Sequence, residues 1–233
     1  MIFLLAIVFL LVILPADVLA WGPITHMYLG TEVLGLAMAL PPAVYKLLRR
    51  HHEDFLYGNL MADSILWKKY LPETENSHSW QTGFRLLKEA KTGSQKAFVY
   101  GYLSHLAADT VVHGWAQRPE LHIGIELLSD AHVGKRYWLM AVTIDRNVRK
   151  RHDLFLERNL LSPVVSVRTS KRLYKGLIVL SGLTPKNLKK LPVPFNQKPL
   201  IEQLHQEALN RVFDVIQKGP DSEFTRICPF PEK

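Results

Sequence analysis

Apolar and polar positions recur at helical spacing along most of the chain. Ile24–Leu36 follows Pro23, a residue suited to a first helical turn, and the Leu40-Pro41-Pro42 run closes the stretch after it. Pro42–Arg50 (PAVYKLLRR) places its apolar residues on one face and finishes on two arginines, and Gln81–Lys91 repeats that pattern. Ser94–Trp115 is apolar around most of its circumference, the mark of a buried, central helix. Leu121–Val148, with a break near Gly134, and Leu200–Gln217 complete the helices. Leu160–Val167 reads as either a loop or a short extended segment, Thr184–Lys198 as a loop, and residues 219–233 as an irregular tail. Period-two alternation is scarce and no Asn-Gly or Asp-Gly hairpin pair occurs, so the expected fold is all-α, without internal repeats.

The first 20 residues depart from this pattern, being apolar at every position except Pro15 and Asp17. The run Ile2–Leu14 has the length of a secretory h-region and falls short of the roughly 20 residues needed to span a bilayer. Val18-Leu19-Ala20 then offers a cleavage site. The expectation is a signal peptide over 1–20, removed after Ala20, and an exported protein; an uncleaved N-terminal anchor is the other reading. The remainder has an ordinary globular composition, consistent with one helical domain over 21–218 followed by the tail. A single cysteine, Cys228, excludes a disulfide framework and a thiolate zinc site.

Charge adds a second feature. Beyond residue 20 the chain carries 29 Lys and Arg against 20 Asp and Glu. Twelve of the bases fall between Arg146 and Lys190, where only Asp153 and Glu157 oppose them. Such a face attracts an anionic surface, phospholipid or nucleic acid, or is simply a solvated helix face.

The chemistry concentrates in histidines and carboxylates. His105, Asp109 and His113 stand at i, i+4 and i+8 of the central helix, within about 80° of one another on an otherwise apolar stripe. Polar groups buried on such a face need partners, and a divalent metal is one. His122 and Glu126 repeat the i, i+4 spacing, with Asp130 one turn on as a further ligand or as the group orienting His122. Cleavage after Ala20 would free the amine of Trp21, which together with its carbonyl oxygen can chelate a metal, and His26 follows in WGPITH. Asp63, in GNLMAD, and His78, beside Trp80, are expected in loop-like surroundings from which they could reach the central helix; a helix N-cap and a surface loop residue are their ordinary alternatives. Tyr57, Trp67, Trp80 and Trp115 are candidates for a substrate-facing rim, with core packing as the alternative. His51, His52, His132, His152 and His205 show no such spacing and read as solvated.

The ordered set WGxxTH, GNLMAD, HSW, HLAADxxxH and HxxxE resembles the zinc-dependent phospholipase C family, most closely its glycosylphosphatidylinositol-specific phospholipase D branch, over Trp21 to about Asp130. That resemblance implies a compact multi-helix fold of the phospholipase C and P1 nuclease type, up to three Zn²⁺, and a phospholipid or membrane surface as substrate. Matched position by position, Asp63, His78, His105 and Asp109 would hold one zinc. Trp21 and His26 would hold a second with Asp109 shared, and His113, His122 and Glu126 the third. Asp63 is alternatively the general base that aligns the attacking water. Family toxins have a longer gap between the residues matching Asp109 and His113 than the single helical turn found here. With no C-terminal β-sandwich expected, membrane contact falls to the helical body and its basic half. A single-strand-specific three-zinc nuclease or nucleotidase is the alternative enzyme, with nucleic acid as partner; a metal-binding envelope protein without turnover is the alternative outside catalysis. No obligate protein partner is evident.

Overall fold

The computed structural model describes residues 21–115, 128–181 and 197–229. Among these no strand occurs. The helices are α1 (Pro23–Gly35), α2 (Pro42–Arg50), α3 (His52–Met61), α4 (Trp80–Glu89), α5 (Gly93–Trp115), α6 (Lys135–Asn159), α7 (Val167–Ser181) and α8 (Gln197–Lys218), joined in part by short 3₁₀ turns. The all-α expectation is met, and the leader over 1–20 lies outside the described residues.

The central apolar helix is α5. From Ala97 to Val112 every residue but Tyr100 is buried, and α3, α4 and α8 pack around it, with α1 against α3, α6 and α8. The α3–α5 crossing is the tightest part of the core. A Cβ on Gly58 would sit 1.9 Å from the Phe98 carbonyl oxygen, and one on Gly101 would sit 1.9 Å from the Phe55 oxygen, so each helix supplies a glycine where the other's backbone passes. This close approach brings the end of α3 alongside the polar stripe of α5.

Local signals set the helix ends. Pro23 and Pro42 occupy first turns, Arg49 and Arg50 close α2 beside its negative dipole end, and the Ser79 hydroxyl accepts from the Thr82 amide to cap α4. Gly134, at φ 97°, separates the helical stretch 128–133 from α6, which is the expected break; α6 then runs to Asn159, well beyond Val148. Residues 160–166 form no strand. Two expectations are corrected. The region before Asp63 is the helix α3, whose near-continuous apolar burial hides the amphipathic period, and the described start of the tail is built of turns. Its 3₁₀ turns Gly219–Asp221 and Glu223–Arg226 lead to Ile227, whose carbonyl accepts from the Trp80 indole at 2.8 Å.

Candidate metal centre

Four segments far apart in sequence deliver one buried cluster. His105 and Asp109 come from α5, Asp63 from the 3₁₀ turn Ala62–Ser64 at the end of α3, His78 from the loop before α4, and His26 from the first turns of α1. All five side chains are almost wholly buried.

His78 Nε2 lies 3.0 Å from His105 Nε2, 3.0 Å from Asp109 Oδ2 and 3.2 Å from Asp63 Oδ1. His105 Nε2 is 3.1 Å from Asp109 Oδ2 and 3.7 Å from Asp63 Oδ2. Ligands placed at zinc bond lengths on a tetrahedron are about 3.3 Å apart, so these donors already stand at the spacing a tetrahedral ion requires. The Asn59 carbonyl, which can only accept, is 2.7 Å from His105 Nδ1. It therefore fixes the Nδ1 proton and leaves Nε2 to face the cluster, the usual way a ligating imidazole is oriented.

The other face of Asp109 looks toward α1. Its Oδ1 is 3.1 Å from His26 Nε2 without hydrogen-bond geometry, and Asp109 Oδ1 and both His26 ring nitrogens are buried without a hydrogen-bond partner. Orphaned buried polar atoms carry a full desolvation cost. A cation between His26 and Asp109 removes that cost, so the residues fit a second metal as well as a first.

The charges agree. Burial would raise the Asp109 carboxyl, but His105 and His26 hold it well below the usual carboxylate range. Burial likewise opposes ionisation of Asp63, yet Lys68, His105 and His78 pull it down to about 2. His26 and His78 are pushed below the ordinary imidazole value first by burial, His78 to about 3, and so present neutral nitrogens. His105 goes the other way: burial lowers it, but Asp109 and Asp63 outweigh burial.

Sequence reasoning missed Lys68. Its ammonium, buried in the cluster, lies 2.7 Å from Asp63 Oδ1 and 2.8 Å from His78 Nδ1. A lysine in WKKY carries no periodic signal, and only the turn between α3 and α4 folds it inward.

Other expectations fall differently. Asp130 is placed against α1: its Oδ1 accepts from the Thr25 amide at 2.8 Å and the Thr25 hydroxyl at 2.6 Å. Burial raises it to about 6 despite those bonds. Its carboxylate sits 2.3 Å from where a Gly22 Cβ would project, which accounts for glycine in WGPITH. It thus anchors the start of the helix that carries His26. The Trp21 ring is fully buried, donating to the Ala108 carbonyl at 2.9 Å and tilted against His205 at 5.2 Å. His122, Glu126 and the side chains of His113 and Trp115 lie outside the described residues. Tyr57 is a core residue rather than a rim residue, fully buried between Phe98 and His152. Trp67, at φ 59°, and Trp80 are partly buried.

His152 and His205 are not solvated. His152 is fully buried, 2.7 Å from Asp54 Oδ1, and joins α6 to α3. His205 is 2.7 Å from the Ser129 hydroxyl and is pushed down to about 4 by burial and by the nearby His132.

Comparison with known proteins places this geometry. No curated protein and no solved structure matches the chain at a significant level. The model of the family described as zinc dependent phospholipase C matches residues 25–160, more than half of the chain, spanning every described member of the cluster. The buried His and Asp set is the donor chemistry such a family requires, and the chain belongs to the zinc-dependent phospholipase C family.

Proposed function

We propose that the protein is an exported phosphodiester hydrolase that cleaves phospholipids in the phospholipase C manner, with water as nucleophile. The observation that supports this best is Asp109, which offers one oxygen to His78 and His105 and the other to His26, the arrangement of a carboxylate shared by two neighbouring cations. Asp63, His78, His105 and Asp109 would hold one zinc, and His26, Asp109 and the freed Trp21 amine and carbonyl a second. A third, on His113, His122 and Glu126, is part of the same reading. Bound zinc supplies positive charge for the phosphodiester and acidifies water toward neutrality.

The chain's own residues do the positioning. Asn59 holds His105 in one tautomer. As the alternative to ligating the first zinc, Asp63 would align the attacking water, and Lys68 adds a fixed cation beside it for a phosphoryl oxygen. Asp130 and Thr25 fix the segment carrying His26.

One preparation from a secreting host tests the reading. N-terminal sequencing is expected to begin at Trp21, elemental analysis to give two to three zincs, and assays on phosphatidylcholine, phosphatidylinositol and single-stranded DNA to show turnover of a phospholipid. Turnover of DNA alone would replace the reading with the nuclease. Zinc without turnover of any of the three would favour a metal-binding envelope protein.

A further inference from the structure

Helices α6 and α7 form an antiparallel hairpin that carries both exposed apolar side chains and exposed bases. The pairing is zipped along its length by the Trp138 indole donating to the Ile178 carbonyl at 2.9 Å, by Lys171 with Asp153, and by Arg168 with Glu157 at 3.0 Å. Of the nine large apolar side chains exposed among the described residues, six lie on this hairpin and its turn: Leu139, Leu154, Leu161, Val164, Leu173 and Val179. The same segments carry the basic excess. Asp153 and Glu157 are already held by Lys171 and Arg168, and among the described residues no ion pair holds the exposed Arg158 or Arg172, beside the turn.

The hairpin also touches the metal centre. The Ser170 hydroxyl on α7 accepts from the Leu66 amide at 2.8 Å, and α7 packs on the 3₁₀ turn that carries Asp63.

We infer that the α6–α7 hairpin is the surface by which the protein docks on an anionic phospholipid bilayer. Apolar side chains exposed in water favour insertion at the headgroup boundary, and nearby Lys and Arg are drawn to an anionic membrane surface. Leu161 and Val164 at the turn enter first, Arg158 and Arg172 meet lipid phosphates, and α7 brings the Asp63 turn close to the surface. The inference rests on the phospholipid reading for its purpose but on separate residues for its test.

Co-sedimentation with vesicles of phosphatidylcholine alone, or mixed equally with phosphatidylglycerol, measures docking. Hydrolysis of a soluble chromogenic phosphodiester measures the site independently. The wild type is expected to pellet with the mixed vesicles and to be released by salt. Leu161→Asp with Val164→Asp, or Arg158→Glu with Arg172→Glu, should lower that partitioning about tenfold or more while soluble turnover and zinc content stay unchanged. Met38→Asp, which alters an exposed apolar residue elsewhere, should bind as wild type. Wild-type protein that stays in the supernatant, or hairpin variants that pellet as well as wild type, overturn the docking surface and leave the hydrolase reading standing. Docking without any phosphodiester turnover does the reverse.

Discussion

The imidazole rings of His26 and His105 lie face to face, 3.6 Å between centroids and 18° from parallel, although 79 positions separate them in sequence. Asp109 lies against both, its two carboxylate oxygens reaching one ring each, at 3.1 Å in each case. On the proposed reading, the pair marks where two cation positions would adjoin.

Asp109→Asn keeps the shape and removes the shared charge. Zinc content should fall by at least one ion per chain and kcat by about a thousandfold, an effect of the order seen for removing a single electrostatic stabiliser. Elemental analysis and steady-state kinetics on folded protein check this. Full zinc occupancy with unchanged kcat would remove Asp109 from the centre.

Lys68 places a positive charge on two of the donors that zinc would use. Lys68→Met should therefore bind the first zinc about tenfold more tightly, measured by chelator competition, because like charges no longer oppose each other. Equal or weaker affinity would show that Lys68 does not contest the site.

His152 offers a contrast to His105, since both are fully buried and both bond an aspartate. His152→Ala leaves Asp54 with a lost buried partner and should destabilise the fold by about 3 kcal/mol, with zinc stoichiometry unchanged. Denaturant unfolding together with metal analysis separates the two roles.

Gly58→Ala drives a methyl into the Phe98 carbonyl region, where the obstacle is backbone and cannot swing away. A loss of about 3 kcal/mol or more is expected. Gly35→Ala, with open space around its Cβ position, should be neutral or slightly stabilising. Thermal melts of the two variants compare them directly.

His205 sets a pH dependence. Its folded-state value is pushed down to about 4, against an ordinary imidazole value of 6.5, so the unfolded chain binds the proton first as pH falls. Stability from this group is intact above about pH 6.5 and lost progressively toward pH 4, amounting to about 2 kcal/mol at pH 5. Melts of metal-free protein between pH 7.5 and 5 should be less steep in pH for His205→Asn than for wild type. Parallel profiles would assign the acid sensitivity elsewhere.

Part of the site is legible in the sequence because helical geometry is local. The i, i+4 spacing of His105 and Asp109 fixes their common stripe, and the apolar residues around them announce that the stripe is buried. The ordered motifs then point to Asp63, His78 and His26 as companions. What could not be read is which polar residues the packing turns inward. His152 and His205 carry no spacing signal, yet each is buried where helices distant in sequence cross. Spacing left Tyr57 open between rim and core, and packing against Phe98 and His152 places it in the core. The helix α3 was hidden because burial on nearly all sides erases the periodicity that reveals helices.

The sequence by itself determined the all-α class, the central α5, the His and carboxylate donor set and the basic stretch that α6 and α7 carry. Each of these follows from composition or from repeats within a few turns of helix. Only the tertiary structure decided that Lys68 enters the cluster, that Asp130 holds the segment bearing His26, and that exposed leucines and valines share one hairpin with exposed arginines. Those relations join residues distant in sequence, and they are set by where backbones can approach closely, as at Gly58 and Gly101, a three-dimensional condition that spacing along a chain does not encode.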